Sequence, residues 1–353
     1  MQKSKLKKIS LALLACLLFS FGAKAQEPDV KKVVFDHLSD SYTWHITAIG
    51  ETDVAVYLPV IVRSAGGEWS VFSSSKFHHG TAAYNGFHIA QEGKYKGKIV
   101  EKNAAGEEIR PWDFSLTKNA LSLLINCTIL LLVILPLARW YKGGTMKPVK
   151  GFRGAVEMLI LSIYDEVIKP CVGEDYRIYA PYLLTVFFFI FVNNLVGLVP
   201  FFPGGANVTG NIAITMVLAL CTFCVVNFSG TKAYWKEIFW PEVPLWLKVP
   251  APIMPVIEIF GVFTKPFALM IRLFGNIMAG HAVTLGLICL VFITASMGVA
   301  VNAGMSVVAV FFTCFITFVE CLVAYIQAYV FTLLSAVFIG MARVKHTDHA
   351  KQM

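Results

Sequence analysis

The sequence predicts an all-α polytopic membrane protein that carries a small β-containing extracytoplasmic domain at its N-terminal end. Three observations predict it. The 353 residues are 57% hydrophobic and only 15% charged, and Phe alone occurs 28 times. A soluble domain carries about 25% charged residues, so the surplus apolar surface needs lipid to face. Apolar stretches of spanning length recur from residue 119 to residue 342, with basic residues gathered in alternate loops. Residues 26 to about 115 differ in kind: their charges are mixed, and short β-rich runs are separated by Gly, Ser and Asp.

The first 25 residues read as a cleavable secretory signal. "MQKSKLKK" is a basic start, "ISLALLACLLFSF" an apolar core, and small residues at Ala23 and Ala25 end it. As a signal anchor that core is short against the ~20 residues needed to span, and "LLAC" at Leu13–Cys16 lies mid-core for a lipoprotein box. Cleavage near Ala25 puts the mature N-terminus outside the cytoplasm. Residues 26–115 then form the extracytoplasmic domain, built on "SYTWHITAIG", "DVAVYLPVIV" and "EWSVFSSS". His78, His79 and His88 lack a Cys or acidic ligand at metal-site spacing, so exposed histidines are the better reading.

Residues 116–345 are organised by the bilayer, and 346–353 are a cytoplasmic tail. Residues 119–138 give one span. The charged, amphipathic run from Gly151 to Tyr179 belongs on the cytoplasmic interface. Residues 179–202 and 210–229 give two more spans, joined by "FFPGGANVT", and "KAYWKEIFWPEVPLWLK" reads as an interfacial loop. Two long apolar stretches, 252–297 and 299–342, meet near Gly298. The loops 139–178 and 230–250 and the tail are basic, whereas 203–209 and the region of Gly298 carry no charge. The C-terminus therefore faces the cytoplasm, and the number of crossings is odd. Each final stretch makes roughly 60–70 Å of helix, about twice the ~30 Å hydrocarbon core. Each holds two spans or is one steeply tilted helix, so the residues themselves allow five crossings or seven.

The net charge of +8 lies in membrane-flanking loops rather than on a basic face, so no nucleic-acid partner is expected. Seven cysteines outside the signal lie in or beside apolar stretches; Cys221 and Cys224 form a C-x-x-C inside a span and read as packing residues. No G-x-x-x-x-G-K-[ST] occurs, so no nucleotide binding by that motif is expected. No metal or cofactor is expected.

The informative residues are the ionisable groups at membrane depth. Between Val243 and Thr347 the only acids are Glu258 and Glu320, and the only histidine between Ile89 and Lys345 is His281. On a helix, Glu258, Lys265 and Arg272 are spaced i, i+7, i+14 and share a face within about 40°, while His281 falls about 180° from Arg272. Glu320 and Gln327 are again seven apart. Polar side chains also glue membrane helices together, the plain reading for Asn276 or Gln327 alone, and Lys265 can snorkel from a helix end. A charged group at bilayer centre costs roughly 2.5–3.5 kcal/mol on insertion scales. Glu258, Arg272, His281 and Glu320 together suit a proton route gated by a guanidinium that cannot itself release a proton.

"KPFALMIRLFGNIMAGH" followed by "ECLVAYIQAYVFTLLSAVFIGMA" resembles the C-terminal region of subunit a of the F-type ATP synthase, and "APYLLTVFFFIFVNNLVGLVP" and "NVTGNIAITMVLAL" are similar to that family's earlier helices. The resemblance covers about residues 119–342. It implies five crossings, the last two long and steeply inclined around a ring of c subunits. It makes Arg272 the arginine that faces the passing ring carboxylate and separates two offset half-channels. Glu258, His281, Glu320, Asn276, Gln327, Asn194 and Asn211 become the proton path, with His281 and Glu320 a coupled pair in the order seen in mitochondrial relatives. It also implies a peripheral-stalk b subunit as partner, protons as the transported ion, and a bacterial inner membrane. Gly197 stands where some relatives carry Asp. A secondary transporter with Arg272 as anion site is the alternative; it predicts paired broken helices, and no convincing second copy of the arginine segment is found. A purely structural protein predicts that conservative changes at Arg272 are tolerated.

Overall fold

The computed structural model describes residues 39–49, 52–103, 106–142, 150–199, 204–240 and 253–343. The stretch expected to be a signal sequence, the tail, and Lys147, Lys248 and Lys345 of the basic loops lie outside the described residues. Two compact units divide the described residues: one runs from 39 to 281 and resumes from 317 to 343, and the other is 282–316.

In the larger unit the N-terminal domain is a set of small antiparallel sheets. Strand β1 (Thr43–Ile49) pairs with β2 (Thr52–Tyr57); β3 (Pro59–Arg63) lies between β4 (Trp69–Ser73) and β8 (Trp112–Asp113); β6 (Ile99–Lys102) lies between β5 (Phe87–Ile89) and β7 (Glu108–Ile109). Alternation fixes the core: Val60 and Val62 of β3 point inward to join Tyr42, Phe77, Phe87 and Ile99. Burial, together with the hydrogen bond that Tyr42 donates to Asp113 at 2.5 Å, pushes the Tyr42 phenol pKa well up. His88 lies 3.2 Å from Glu108. The domain is tied to the first long helix. Lys118 N donates to Ser41 O (2.8 Å), Asn119 N donates to Asp40 Oδ1 (3.1 Å), and buried Trp44 packs with Ala206, Val208, Leu121 and Ile125.

The helices are α1 (Lys118–Lys142), α2 (Phe152–Ser162), α3 (Lys169–Val172), α4 (Tyr176–Gly197), α5 (Ile212–Ser229), α6 (Lys232–Phe239), α7 (Ile253–Thr294) and α8 (Val299–Arg343). Among the described residues five, α1, α4, α5, α7 and α8, are long and apolar enough to cross a membrane. The chain is a multi-pass membrane protein, and each of the two final stretches is one helix. The π-helical turn Ile163–Ile168 joining α2 to α3 was not expected from the sequence; its Ile163, Val167 and Ile168 are fully buried.

The core of this unit joins those residues to Leu183, Phe187 and Ile190 of α4, Leu269 and Leu273 of α7, and Phe331 and Ile339 of α8. Lipid is as apolar as leucine, so this core holds by close packing rather than by escape from water. Gly340 shows how close: a Cβ there would lie 2.0 Å from the backbone oxygen of Cys171. At the same end Arg343 donates through Nε to Asp175 Oδ2 (2.8 Å) and through Nη1 to Ser229 O (3.4 Å), joining the ends of α8, α4 and α5.

In the smaller unit, α7 and α8 meet through a 3-10 turn (Ala295–Met297) and Gly298. Gly298 has φ of 112°, where a side chain is strained. Thr294 Oγ1 donates to Asn302 Oδ1 at 3.1 Å, and Asn302 N donates to Gly298 O at 3.0 Å.

Candidate functional site

A four-residue stride on α7 separates two faces. Leu269, Leu273 and Ile277 are buried, while Arg272 and Asn276, one position before two of them, are exposed. Arg272 thus lies on the outer side of a long apolar helix, and its guanidinium has no hydrogen-bond or ion-pair partner among the described residues.

The next two positions on that stride meet α8. Asn276 Nδ2 donates to Oε1 of buried Gln327 at 3.3 Å, while Gln327 Nε2 has no partner among the described residues. One turn on, Gly280 lets α8 approach: a Cβ there would stand 2.6 Å from Glu320 Oε1. The Glu320 carboxylate therefore lies over the α7 backbone, beside the residue that precedes His281. His281 and Glu320 are both half-buried. The structure thus brings Asn276 to Gln327 and Glu320 to the turn that bears His281, with Arg272 one turn from the first pair.

Glu258 and Lys265 form a second polar region nearer the start of α7. Burial, and then the charge of Glu258, push the Tyr234 phenol pKa up, which places Glu258 close to α6. The Lys265 ammonium lies 5.5 Å from the centre of the Phe338 ring. Beside Lys265 is a cavity of about 20 Å³ lined by Thr222, Asn227, Tyr234, Lys265, Leu269 and Phe338, among others. That is room for one water. Asn227 Oδ1, buried without a partner among the described residues, supplies an acceptor for it.

A third polar region lies where α4 ends and α5 begins. Asn126 Nδ2 donates to Asn193 Oδ1 (2.9 Å) and to Ser122 Oγ (3.4 Å), and Thr209 Oγ1 donates to Asn194 Oδ1 (2.6 Å). All five side chains are buried, and Asn126 Oδ1, Asn194 Nδ2 and Asn207 Nδ2 have no partner among the described residues. Unpaired polar atoms inside a protein call for water. Asn211 caps α5, accepting from Ala213 N at 3.0 Å. A Cβ at Gly197 would meet only Ala206 O, at 3.5 Å, an ordinary contact.

Sequence reasoning passed over Asn126, Asn193, Thr209, Tyr234 and Gly280. Asn126, seven residues inside the apolar span 119–138 that opens on Asn119, was a usable signal. Nothing local marks Tyr234 or Gly280, whose importance comes from what packs against them.

With this geometry in view, the comparisons with known proteins are specific. The family model described as ATP synthase A chain matches residues 120–340, and that described as Domain of unknown function (DUF8433) matches residues 33–114. The chain is 40% identical over 252 residues to "ATP synthase subunit a" of Chloroherpeton thalassium, covering 69% of this chain and 71% of that one. It is 42% identical over 257 residues to "ATP synthase subunit a 2" of Chlorobaculum tepidum (69% and 67%). It is 41% identical over 249 residues to "ATP synthase subunit a" of Myxococcus xanthus (67% and 77%).

Proposed function

The chain belongs to the ATP synthase A chain family, and from that premise we propose that it is the stator proton-channel subunit of an F-type ATP synthase. Two offset half-channels carry protons to and from carboxylates of a rotating ring of c subunits, and Arg272 separates them. The subunit itself performs no covalent chemistry; its partners are the ring, a peripheral-stalk b subunit and the bilayer, which we assign to a bacterial inner membrane with the N-terminus outside and the C-terminus in the cytoplasm.

One observation carries this reading: Arg272 is exposed at the middle of an apolar helix, with no partner among the described residues. A guanidinium stays protonated at any physiological pH, so in hydrocarbon it needs an anion, and the described residues supply none there. A carboxylate on a neighbouring subunit meets that need. The proton then passes by exchange: the ring carboxylate stays ionised beside Arg272 and is neutralised on either side of it, where the positive charge no longer favours the anion.

The three polar regions support two separate routes. Glu258, Tyr234 and the water-sized cavity serve the side where α7 begins. Glu320, His281 and the Asn126–Asn193 and Asn194–Thr209 pairs serve the other. Asn276 and Gln327 lie between, one turn from Arg272.

ATP-driven proton pumping and passive proton leak in inverted membrane vesicles carrying Arg272→Lys test the proposal. Lysine keeps the charge but loses the planar fork. Pumping is expected to collapse while the complex stays assembled; normal pumping would remove the gate from Arg272 and refute the reading.

A further inference from the structure

The sheet β4-β3-β8 has two unlike faces. Its inner face packs Val60, Val62 and Phe72 into the core of the N-terminal domain. Strand alternation turns Ile61 and Arg63 of β3, Trp69 and Val71 of β4, and Trp112 of β8 to the other face, where the ring of Phe114, just beyond β8, joins them. An outward sheet face ordinarily meets water with polar side chains. Here Trp69 is 58% exposed, Val71 70%, Trp112 71% and Phe114 59%. The three rings lie together: Trp69 to Phe114 is 5.8 Å and Trp112 to Phe114 is 6.5 Å between centroids, and the Arg63 guanidinium lies 5.8 Å from the centre of the Trp69 ring. A contiguous apolar patch of this kind marks a contact surface.

Its position says which contact. Only Ser115, Leu116 and Thr117 separate Phe114 from Lys118, where α1 begins. Those residues are not a loose linker. Phe114 N donates to Ile61 O (2.9 Å), Leu116 N donates to Pro59 O (3.1 Å) and Lys118 N donates to Ser41 O (2.8 Å). The sheet is hydrogen-bonded without a break into the first spanning helix. At about 3.3 Å per residue, Phe114 lies within ~13 Å of that helix start. Tryptophan rings beside an arginine are the chemistry of the headgroup layer, where an apolar ring with a polar edge is half in oil and half in water.

We propose that this face rests in the lipid headgroup layer of the leaflet in which α1 begins, and that the N-terminal domain is a membrane-surface anchor fixed to α1. Arg63 then pairs with lipid phosphates. The proposal rests on the membrane-spanning fold and stands whether or not Arg272 is the gate.

The test is tryptophan quenching on the full chain reconstituted in phosphatidylethanolamine–phosphatidylglycerol vesicles. The lipids are unlabelled, brominated just below the glycerol, or brominated near the chain ends. The emission due to this face is the difference between the unaltered chain and the Trp69→Phe/Trp112→Phe double variant. It is expected to fall at least about two-fold in the lipid brominated below the glycerol, and less in the other. Each single Trp→Phe variant reads the remaining ring and guards against misfolding of the double variant. Two results overturn the proposal. Emission insensitive to brominated lipid but quenched by aqueous acrylamide places the face in water. Emission insensitive to both places it against another protein.

Discussion

Helices α4 and α7 both carry amide or charged side chains through a lipid-thick span, and they treat them in opposite ways. Half of the apolar window of α4 is buried within the chain, against 11% of that of α7. On α4, Asn193 and Asn194 are buried and hydrogen-bonded to Asn126 and Thr209. On α7, Arg272 is exposed with no partner in the described chain. A buried, paired amide contributes to the fold. A guanidinium exposed and unpaired among the described residues adds little to the packing of this chain, which suits the outside partner proposed above. The contrast sets a stabilising role on one helix against the proposed functional role on the other.

The contrast predicts a graded series of outcomes. Arg272→Gln is expected to reduce proton pumping at least about 100-fold, as when a fixed charge is taken from a reacting group, with the thermal midpoint of the purified chain unchanged. A large drop in that midpoint would mean that Arg272 has a structural partner and would break the comparison. Asn193→Leu should act the other way round. It takes from Asn126 the shorter of its two hydrogen bonds, leaving only the one to Ser122, and is expected to cost about 1–3 kcal/mol of stability, whereas Asn126→Leu with Asn193→Leu recovers most of it. A double-mutant cycle by thermal unfolding in detergent decides this, and additive losses would show that the two amides do not depend on each other.

Gly340→Ala sharpens the stability side, because the added methyl meets backbone rather than a side-chain tip. About 1–3 kcal/mol is expected from overpacking, visible as a lower melting temperature. Gly280→Ala tests the functional side with a change of the same size. Its methyl meets only the end of the Glu320 side chain, which can swing away. Stability is expected to change by less than about 1 kcal/mol while pumping falls several-fold; unaltered pumping would remove Glu320 from the path. Smallest is Arg343→Met. It breaks a partly exposed ion pair with Asp175 and is expected to cost about 1 kcal/mol at most, with a loss that shrinks in high salt.

Much of this was legible in the residues. Basic loops, apolar lengths and the Gly298 break gave the spans, and the scarcity of charge after Val243 singled out Glu258, Arg272, His281 and Glu320 without any structure. The count of crossings was not legible from lengths alone, since a stretch of over forty residues suits one tilted helix or two upright ones. The single helices α7 and α8 resolve it. The capping bond that Asn211 accepts from Ala213 N was not legible either, since it depends on where α5 begins.

What the sequence determined by itself was which groups are present at membrane depth, because a charge in hydrocarbon is costly enough to stand out in any apolar run. What only the tertiary structure decided was how each helix is turned about its axis. Lipid and protein core are equally apolar, so a helix such as α4 or α5 carries no periodic signal of its buried side. The meeting of Asn126 with Asn193, the seat that Gly280 gives Glu320, and the outward aim of Arg272 all follow from that rotation, which close packing of neighbouring helices sets.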